Sequence, residues 1–554
     1  MNTLTQTRLS IFLLGLAFAI LTYFHGLDSL HIPKNGDEYV YAHILRLTAE
    51  SSELLPLQSE LDGMRNTKPP LIYWQGIAST SWGTAWEHWR LRWPSVIYTL
   101  LTGLMIFLFA RKMGGVRTGF IALFSFLAFI TSYRYGRPYL TDPPMVFWLT
   151  LPSLALLYWR EQLFESKLLF PLLAGLSLGL GFLAKSFMLL VPVGLTMALW
   201  YWREREYAIA PFLLKDSWKL ILMAVISLGV FSLWFVFDPD PKAILDEFVF
   251  KENMGKVAQD NYWLKLLWGK SSLLSQAAGL VVNTGLLLIP TAIMFYLAFR
   301  QRDSHSDEER MLWIWVGVYF LIFSLPTQRS ARYLIPIMPA IAILLSLYWD
   351  RIPRWAFRIS LGLAALFVLG IGVFSLKLEI FLGGESIYPL YIWLILAIAF
   401  LGIVFALFKS EWTRDLTPMA LILVYFCLSG FFYPFDHEAG SFSNEARNTV
   451  KGETVWVPYN FRAKYERYHF LLPETEIRGY HTDKKLTADE LMQKHEYVVV
   501  RHRADEQLDT GNCAVLGTRL ETRSRQKSHE IRAVLLDNRM DYLFAREYLL
   551  HCPR

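Results

Sequence analysis

Long runs of apolar residues alternate with short polar segments along most of this chain. The runs are roughly 17–25 residues long, which lets an α-helix cross about 30 Å of hydrocarbon. About thirteen such segments occur, and we predict that each forms a membrane-spanning helix. They cover residues 9–30, 91–110, 117–132, 143–159, 168–184, 187–202, 219–237, 273–299, 311–326, 333–349, 357–376, 388–408 and 416–434. The pattern therefore predicts a polytopic α-helical membrane protein.

The pattern changes after Tyr433, where charged residues become frequent and long apolar runs stop. Short β-like runs at residues 455–457 and 497–500 alternate with helical stretches. This alternation is typical of an α/β domain. We therefore predict a transmembrane domain at residues 1–434 and a small α/β domain at residues 435–554.

Lysine and arginine are concentrated in alternate loops between the predicted spans. Cytoplasmic loops of membrane proteins carry this excess of positive charge. The residues are Arg111, Lys112, Arg117, Arg160, Lys167, Arg203, Arg205, Lys215, Lys219, Arg300, Arg302, Arg310, Arg351, Arg354, Arg358, Lys409 and Arg414. These loops lie on the N-terminal side of the membrane, so we predict a cytoplasmic N-terminus. Because the number of spans is odd, the C-terminal domain is predicted to be outside, in the periplasm.

Composition and charge exclude several function classes. The chain is 54% hydrophobic and 18% charged, whereas soluble domains are about a quarter charged. Its net charge of +6 follows from the cytoplasmic loops and predicts no nucleic-acid partner. The short inner loops contain no glycine-rich phosphate-binding motif and form no cytoplasmic domain. An enzyme that uses a nucleotide-activated donor would need such a domain, so this class is excluded.

Three cysteines are too few for a disulfide scaffold or a cysteine-rich metal site. Cys427 is predicted to pack inside the last span. Cys513 and Cys552 both fall in the predicted outer domain, where oxidation permits a disulfide between them.

The longest outer loop before the C-terminal domain covers residues 31–90. Within it, Val40, Ile44 and Leu45 form an apolar stripe with helical spacing. This stripe predicts a helix that begins near Asp37 and lies in the membrane interface. We expect the active site on this loop.

Three carboxylates reach the outer membrane boundary: Asp37, Glu38 and Asp142. Ionisable groups at a membrane are costly, and their presence favours a functional site. Other interpretations remain open. Glu38 also fits a helix-capping pattern, and Asp142 can form a plain salt bridge with Arg134 or Arg137.

Several cations lie at the same boundary, against the tendency for positive charge to stay inside. They are Lys68, Lys256, Arg329 and Arg332, with Lys185 near the outer end of an apolar run. This placement favours binding of an anionic group such as phosphate. The alternative is that their side chains only snorkel towards water.

Five segments resemble motifs of the polytopic glycosyltransferases that use polyprenyl-phosphate sugars. That family includes the protein O-mannosyltransferases and the bacterial lipid A aminoarabinose transferase. The segments are residues 36–42 (Gly-Asp-Glu-Tyr-Val-Tyr-Ala), 68–74 (Lys-Pro-Pro-Leu-Ile-Tyr-Trp), 141–144 (Thr-Asp-Pro-Pro), 252–256 (Glu-Asn-Met-Gly-Lys) and 332–339 (Arg-Tyr-Leu-Ile-Pro-Ile-Met-Pro). They occur in the family's order and on one face of the predicted membrane domain.

The resemblance implies a GT-C type fold and an inverting transfer reaction. Asp37 is implied to be the base that deprotonates the acceptor hydroxyl, in a catalytic group with Glu38 and Asp142. The boundary cations are implied to bind the phosphate of the donor, which leaves as an anion. The implied substrate pocket contains Tyr333, Arg137, Glu252 and Asn253.

Two residues depart from the aminoarabinose transferase pattern. Thr67 stands where that enzyme has an acidic residue before the loop lysine, and Asn253 replaces a histidine. Both family positions have been linked to metal, so the departures predict a site without a metal ion or other cofactor. They also weaken the case for aminoarabinose as the sugar.

The leading hypothesis is transfer of a sugar from undecaprenyl phosphate to a lipid A-like acceptor on the periplasmic face of the inner membrane. A second hypothesis within the family is transfer of a hexose or mannose to a protein or glycan. A hypothesis of another class is a transporter that flips lipid-linked sugars. Transporters place charged groups near the bilayer midplane, whereas these carboxylates lie at one face, which favours the enzyme. The expected partners are the donor, a lipid or glycan acceptor, and membrane lipids.

Overall fold

The structure is a computed structural model that describes residues 3–31, 36–61, 63–256, 266–269, 271–383, 387–459, 463–481, 486–523 and 526–553. The membrane part consists of helices joined by short turns. They are α1 (Thr3–Phe24), α2 (Gly36–Glu50), α3 (Leu71–Ser79), α4 (His88–Gly114), α5 (Val116–Ala128), α6 (Ile130–Gly136), α7 (Asp142–Tyr158), α8 (Arg160–Glu165), α9 (Leu169–Ala184), α10 (Leu190–Glu204), α11 (Ile209–Lys215), α12 (Ser217–Phe237), α13 (Pro241–Ile244), α14 (Leu273–Val282), α15 (Leu288–Arg300), α16 (Asp307–Ser324), α17 (Met338–Tyr348), α18 (Arg354–Phe381), α19 (Leu390–Phe408), α20 (Thr413–Phe431), α21 (Tyr433–Asp436) and α22 (Asn444–Thr449). A π-helical segment covers Leu245–Asn253, and short 3₁₀ segments include Phe187–Leu189, Met254–Lys256, Gly285–Leu287, Arg302–Ser304 and Ala331–Ile337.

Seven helices of the described residues are long and apolar enough to cross a membrane, and two bent pairs raise this number to nine. The seven are Thr7–Phe24, His88–Gly114, Ser217–Phe237, Ala331–Tyr348, Arg354–Phe381, Leu390–Phe408 and Thr413–Phe431. Each sequence-predicted span contains helix, and a multi-pass helical membrane protein is confirmed. The larger count of about thirteen spans stays a prediction.

The segment at residues 273–299, which the sequence pattern predicts as one span, is sharply bent. Leu273–Val282 and Gly285–Arg300 meet at 104°. Gly285 has a φ of 63°, in the left-handed region that glycine adopts without strain. A Cβ on Gly285 would lie 3.1 Å from the Cβ of Ile130, so close packing also favours glycine at the break.

Helix α2 forms as predicted, but the structure contradicts its predicted place in the membrane interface. Ala42, Ile44 and Leu45 are at most 1% exposed, and most other α2 side chains are buried within the protein. Helix α3 lies against α2 at Gly76, where a Cβ would approach a Leu45 methyl carbon to 1.9 Å. The outer loop is therefore folded into the core, because the apolar stripe is covered by protein.

The C-terminal part contains a five-stranded sheet in the order β2-β1-β3-β5-β4. Strand β1 pairs in parallel with β2 and β3, whereas β5 pairs antiparallel with β3 and β4. The elements are β1 (Thr454–Tyr459), α23 (Tyr468–Leu471), β2 (Glu476–His481), α24 (Ala488–Lys494), β3 (Tyr497–Arg503), β4 (Ala514–Thr522), α25 (Ser528–Leu536) and β5 (Phe544–His551), with 3₁₀ segments at Lys464–Arg467 and Met540–Leu543. A disulfide joins Cys513 to Cys552, and Cys427 is free and buried.

The sheet-containing part is joined to α2 by a buried polar cluster, which we call the α2 latch: His43, Arg46, Glu60, Tyr465 and Glu466. Glu466 accepts a hydrogen bond from Arg46 Nε at 2.6 Å and lies 3.2 Å from His43 Nδ1. The Tyr465 hydroxyl donates to Glu60 at 3.0 Å. Burial alone would raise the pKa of Glu466, but Arg46 and His43 outweigh it and hold that pKa at about 2. A charged latch therefore fixes the helix that begins with Asp37.

Candidate active site

Asp37 and Asp142 lie in the first turns of α2 and α7, where a helix N-terminus favours negative charge. Arg332, from the 3₁₀ segment after α16, connects them. Its Nη1 is 2.7 Å from Asp37 Oδ2, and its Nη2 is 2.6 Å from Asp142 Oδ2. The guanidinium also lies 4.9 Å from the centre of the Tyr135 ring. One arginine thus fixes the relative position of two carboxylates from distant parts of the chain.

Asp142 has a second cationic partner. Lys185 Nζ lies 2.5 Å from its Oδ1, while Arg332 occupies its Oδ2. The predicted salt bridge of Asp142 therefore exists, but with partners other than Arg134 and Arg137. The side chain of Asp142 is only 1% exposed, whereas that of Asp37 is 47% exposed. Of these two carboxylates, Asp37 is the one that a substrate can reach.

Lys68 and Glu252 form an ion pair on the opposite side of the site. Lys68 also donates to the Thr67 carbonyl at 2.9 Å. Glu252 lies in the π-helical segment Leu245–Asn253, and such segments are frequent at functional sites. The next residue, Asn253, accepts a hydrogen bond from Ser186 at 2.9 Å and donates to the Phe248 carbonyl at 2.7 Å.

Two cavities meet at these residues. The first, which we call the polar pocket, has a volume of about 300 Å³ and is lined by Asp37, Val40, Tyr41, Met64, Thr67, Lys68, Thr141, Lys185, Glu252, Arg332 and Tyr333. The second, the apolar groove, has about 350 Å³ and is lined by Lys68, Met145, Lys185, Ser186, Met188, Leu189, Val191, Phe248, Glu252, Asn253, Ile322, Phe323, Leu325, Pro326, Gln328, Tyr333 and Pro336. Lys68, Lys185, Glu252 and Tyr333 line both. A charged boundary therefore separates a polar space from an apolar one.

Glu38 is placed outside the polar pocket, contrary to its predicted membership of the catalytic group. Its carboxylate binds Arg92 through two hydrogen bonds of 2.7 Å and accepts another from the Tyr139 backbone N–H at 2.8 Å. The residue is 1% exposed. Successive helix residues point about 100° apart, so Asp37 and Glu38 cannot both face one cavity.

Arg137 and Arg329 are also placed outside both cavities, contrary to prediction. Arg137 donates to the carbonyls of Tyr23 and His25 at the end of α1. Arg329 donates to the carbonyls of Ser324 and Ser271. Both guanidiniums bind backbone carbonyls, and those of Tyr23 and Ser324 are among the last carbonyls of α1 and α16 that have no partner within the helix. The side chain of Lys256 lies outside the part of the chain that the structure describes.

Sequence reasoning missed two residues of the site. Tyr41 lines the polar pocket one helical turn after Asp37, and the i,i+4 spacing could have identified it. Ser186 follows Lys185 and holds Asn253, but nothing in its sequence context signals this contact. Among the described residues, no group of three or more His, Cys, Asp or Glu side chains could hold a metal ion.

Comparison with known families agrees with this geometry. The family model of dolichyl-phosphate-mannose-protein mannosyltransferases matches residues 9–241. An undecaprenyl phosphate-alpha-4-amino-4-deoxy-L-arabinose arabinosyl transferase of Edwardsiella ictaluri is 26% identical over 370 residues, covering 64% of this chain and 63% of that protein. A second transferase of the same description, from Proteus mirabilis, is 25% identical, covering 70% of this chain and 68% of that protein. The chain thus spans about two thirds of the length of these relatives.

Solved structures show the same fold. ArnT from Cupriavidus metallidurans bound to undecaprenyl phosphate superposes with a TM-score of 0.61 over 97% of both chains, at 15% identity. The apo form gives 0.58, with 89% of this chain and 93% of that chain covered at 16% identity. The predicted resemblance to the polyprenyl-phosphate-sugar glycosyltransferases is confirmed, and the fold is of the GT-C type.

Proposed function

We propose that this protein is an inverting membrane glycosyltransferase. In this proposal it moves a sugar from an undecaprenyl phosphate donor to a lipid A-like acceptor. The observation that carries the proposal is the chain of contacts Asp37–Arg332–Asp142–Lys185, which leads from the polar pocket to the apolar groove. The two relatives from Edwardsiella ictaluri and Proteus mirabilis, both undecaprenyl phosphate aminoarabinose arabinosyl transferases by name, support this substrate class.

The donor is proposed to enter through the apolar groove. Side chains such as Met188, Phe323 and Leu325 suit a polyprenyl tail, because burial of apolar surface is favourable. The donor phosphate would then lie beside Lys185 and Lys68, which line both cavities. A phosphate that leaves as an anion needs fixed positive charge at that point. Arg332 adds a guanidinium that can bind phosphate oxygens in a bidentate manner.

Asp37 is proposed as the general base. Its carboxylate takes the proton of the acceptor hydroxyl while that oxygen attacks C1 of the donor sugar. The bond from C1 to the phosphate oxygen breaks on the opposite face, and the bonding pair leaves with the phosphate. One displacement of this kind inverts C1. Arg332 holds the Asp37 carboxylate in position at the polar pocket.

Asp142 and Glu38 are proposed to act indirectly. Asp142 is fully engaged by Lys185 and Arg332 and positions both cations for the phosphate. Glu38 anchors α2 through Arg92. The same reasoning assigns no metal to the reaction, because Lys185 and Arg332 supply the positive charge that a divalent ion would otherwise bring. Full activity after thorough chelation is the expected result, and loss of activity restored by a divalent metal would contradict it.

We also propose the orientation of the chain. A cytoplasmic N-terminus and about thirteen spans place residues 435–554 in the periplasm as a separate domain, with the active-site loop at residues 31–90 on the same side. The basic residues of the opposite loops support this arrangement. The Cys513–Cys552 disulfide also supports it, because disulfides persist in the periplasm.

A protein or glycan mannosyltransferase is the second candidate. It is favoured by the mannosyltransferase family model, which covers both predicted catalytic segments around Asp37 and Asp142. A flippase for lipid-linked sugars is the remaining alternative of another class.

One experiment separates these functions. Membranes from cells with the wild-type chain, the Asp37→Asn variant, the Asp303→Asn control or no chain are compared by mass spectrometry of lipid A, other glycans and glycoproteins. Asp303 is 98% exposed and lines neither the polar pocket nor the apolar groove, so it controls for the same Asp→Asn change outside the site. A sugar on lipid A with wild type and control alone is expected. The same sugar on protein or another glycan would favour the second candidate. A product that Asp37→Asn forms as well as wild type does, but that is absent without the chain, would favour the flippase.

A further inference from the structure

A third cavity, separate from the two described above, lies between the membrane helices and the C-terminal part. We call it the junction cavity. It has a volume of about 590 Å³ and is lined in part by His88, Tyr391, Asp436, His437 and Arg447. No residue of the polar pocket or the apolar groove lines it. His88 separates the cavity from the ion pair between Glu38 of α2 and Arg92 of α4, and its Nε2 lies 4.0 Å from Glu38 Oε2.

Several side chains that line the junction cavity have a buried polar atom without a partner among the described residues: His25, Trp86, His88, Asp436 and Arg447. His88 is 2% exposed, and neither of its ring nitrogens has a hydrogen-bond partner among the described residues. Arg447 is half-buried, its Nε is likewise unsatisfied, and its guanidinium has no ion pair within the described ranges. A buried polar group without a partner is costly and commonly marks a site for an absent ligand.

Two of the three acidic residues that line the cavity, Asp28 and Glu87, have partners. Asp28 accepts from the Trp89 backbone N–H at 3.2 Å, and Glu87 pairs with Arg90 at 2.5 Å. Asp436 interacts with Ser29, but its Oδ1 is buried without a partner among the described residues. Arg447 is the one lysine or arginine among the residues that line this cavity, and the ligand group that matches a guanidinium is an anion.

The location of the cavity indicates where that anion comes from. The candidate spans Thr7–Phe24 and Thr413–Phe431 end beside it, and His88–Gly114 and Leu390–Phe408 begin beside it. Tyr391 lines it and is 45% exposed, next to Leu390, which is 72% exposed. Tyrosine at the ends of spans is typical of the headgroup region. The cavity thus opens at headgroup depth beside an apolar, outward-facing surface.

We propose that the junction cavity binds the headgroup of a phospholipid, with Arg447 on its phosphate and His88 as a hydrogen-bond partner. The aromatic side chains Tyr391 and Tyr433 would lie against the glycerol region, as amphipathic rings do at membrane interfaces. This binding site is independent of the proposed transfer reaction, because it uses none of the residues that line the polar pocket.

The test is native mass spectrometry of the delipidated full chain in detergent. The probes are phosphatidylethanolamine, phosphatidylglycerol, diacylglycerol and inorganic phosphate, each titrated separately. We expect one phospholipid to bind to the wild type more tightly than diacylglycerol. Arg447→Gln should weaken that binding roughly tenfold, the value of one charge-assisted hydrogen bond, and Arg447→Lys should weaken it less. Arg478→Gln, the same change at an exposed arginine of β2, should leave it unchanged.

The Arg332→Gln variant separates this site from the active site. It should weaken binding of undecaprenyl phosphate and leave binding of the phospholipid as in wild type. Equal phospholipid binding by wild type and Arg447→Gln would overturn the proposal, as would equal binding of diacylglycerol. If inorganic phosphate binds through Arg447 and no phospholipid binds, the anion is not a lipid headgroup and the proposal is overturned.

A second measurement covers the case in which Arg447→Gln does not fold. A photoreactive phosphatidylethanolamine is crosslinked to the wild-type chain, and the labelled peptides are sequenced. Label in residues 429–447, reduced by unlabelled phosphatidylethanolamine but not by undecaprenyl phosphate, is the expected result. Absence of label from this segment would overturn the proposal.

Discussion

Asp37 and Glu38 are neighbours in the sequence, but they belong to two regions of opposite character. Asp37 faces the polar pocket, is 47% exposed and shares Arg332 with a second carboxylate. Glu38 faces the protein interior, is 1% exposed and has Arg92 as its closest ionic partner. The difference shows that an ion-paired carboxylate can serve catalysis or stabilise the fold. Its accessibility decides between the two, because only an exposed carboxylate can contact a substrate. Removing the charge of Asp37 should therefore lower activity, whereas removing the charge of Glu38 should lower stability.

Asp37→Asn should give the largest effect on activity. Removing a general base slows transfer by about 10²–10⁴-fold, while the amide keeps the size of the side chain and preserves the fold. Transfer rates and the thermal midpoint are measured for this variant and for Asp303→Asn. Near-normal transfer by Asp37→Asn would remove the base from the proposed mechanism.

Glu38→Gln should instead lower stability. It leaves the buried guanidinium of Arg92 without its counter-charge, which costs about 3–5 kcal/mol. Thermal unfolding of the purified chain should show a large fall in the midpoint. The double variant Glu38→Gln, Arg92→Met should recover part of the loss, because no charge then remains buried. A Glu38→Gln variant that is as stable as wild type but has no transfer activity would show that Glu38 takes part in catalysis.

Arg332→Gln should weaken donor binding more than acceptor binding. A hydrogen bond between charged groups contributes about 1.5–3 kcal/mol, so the KM for the donor should rise roughly 10- to 100-fold. Lys68→Ala should show the same preference for the donor with a smaller effect. Equal changes in both KM values would argue against phosphate binding by these cations.

The α2 latch provides an effect that is specific to pH. The pKa of Glu466 is about 2 in the folded protein against an ordinary value of 4.5. Its charge therefore stabilises the folded chain above pH 4.5, and this contribution declines as the pH falls towards 2. The thermal midpoints of wild type and Glu466→Gln should differ at pH 6 and converge towards pH 3. A difference that does not change with pH would show that the latch acts through packing alone.

The sequence predicted the parts of the site that depend on order along the chain. Asp37, Lys68, Lys185, Glu252 and Tyr333 all line the predicted site, since their motifs fall at span ends on one face. It could not predict partners set by packing. Arg92, for example, is 54 positions from Glu38, and only the fold brings them together.

The same limit explains the errors among the cations. An arginine at a span end can bind a ligand, a carboxylate or the carbonyls of a neighbouring helix, and these roles leave the same mark in the sequence. Arg137 and Arg329 bind carbonyls, whereas Arg332 binds two carboxylates and also lines the polar pocket. The break at Gly285 was hidden for a similar reason, because an apolar run looks alike whether its helix is straight or bent.

Lys185 and Tyr333 line both the polar pocket and the apolar groove, and this shared boundary has a kinetic consequence. A donor bound to these side chains would cover part of the lining of the polar pocket, which the acceptor must enter. Affinity for the acceptor is then a property of the donor-loaded protein rather than of the empty one. Turnover would then follow a compulsory order in which the donor binds first. Excess acceptor would not inhibit the enzyme, because the acceptor would not bind to the protein without donor.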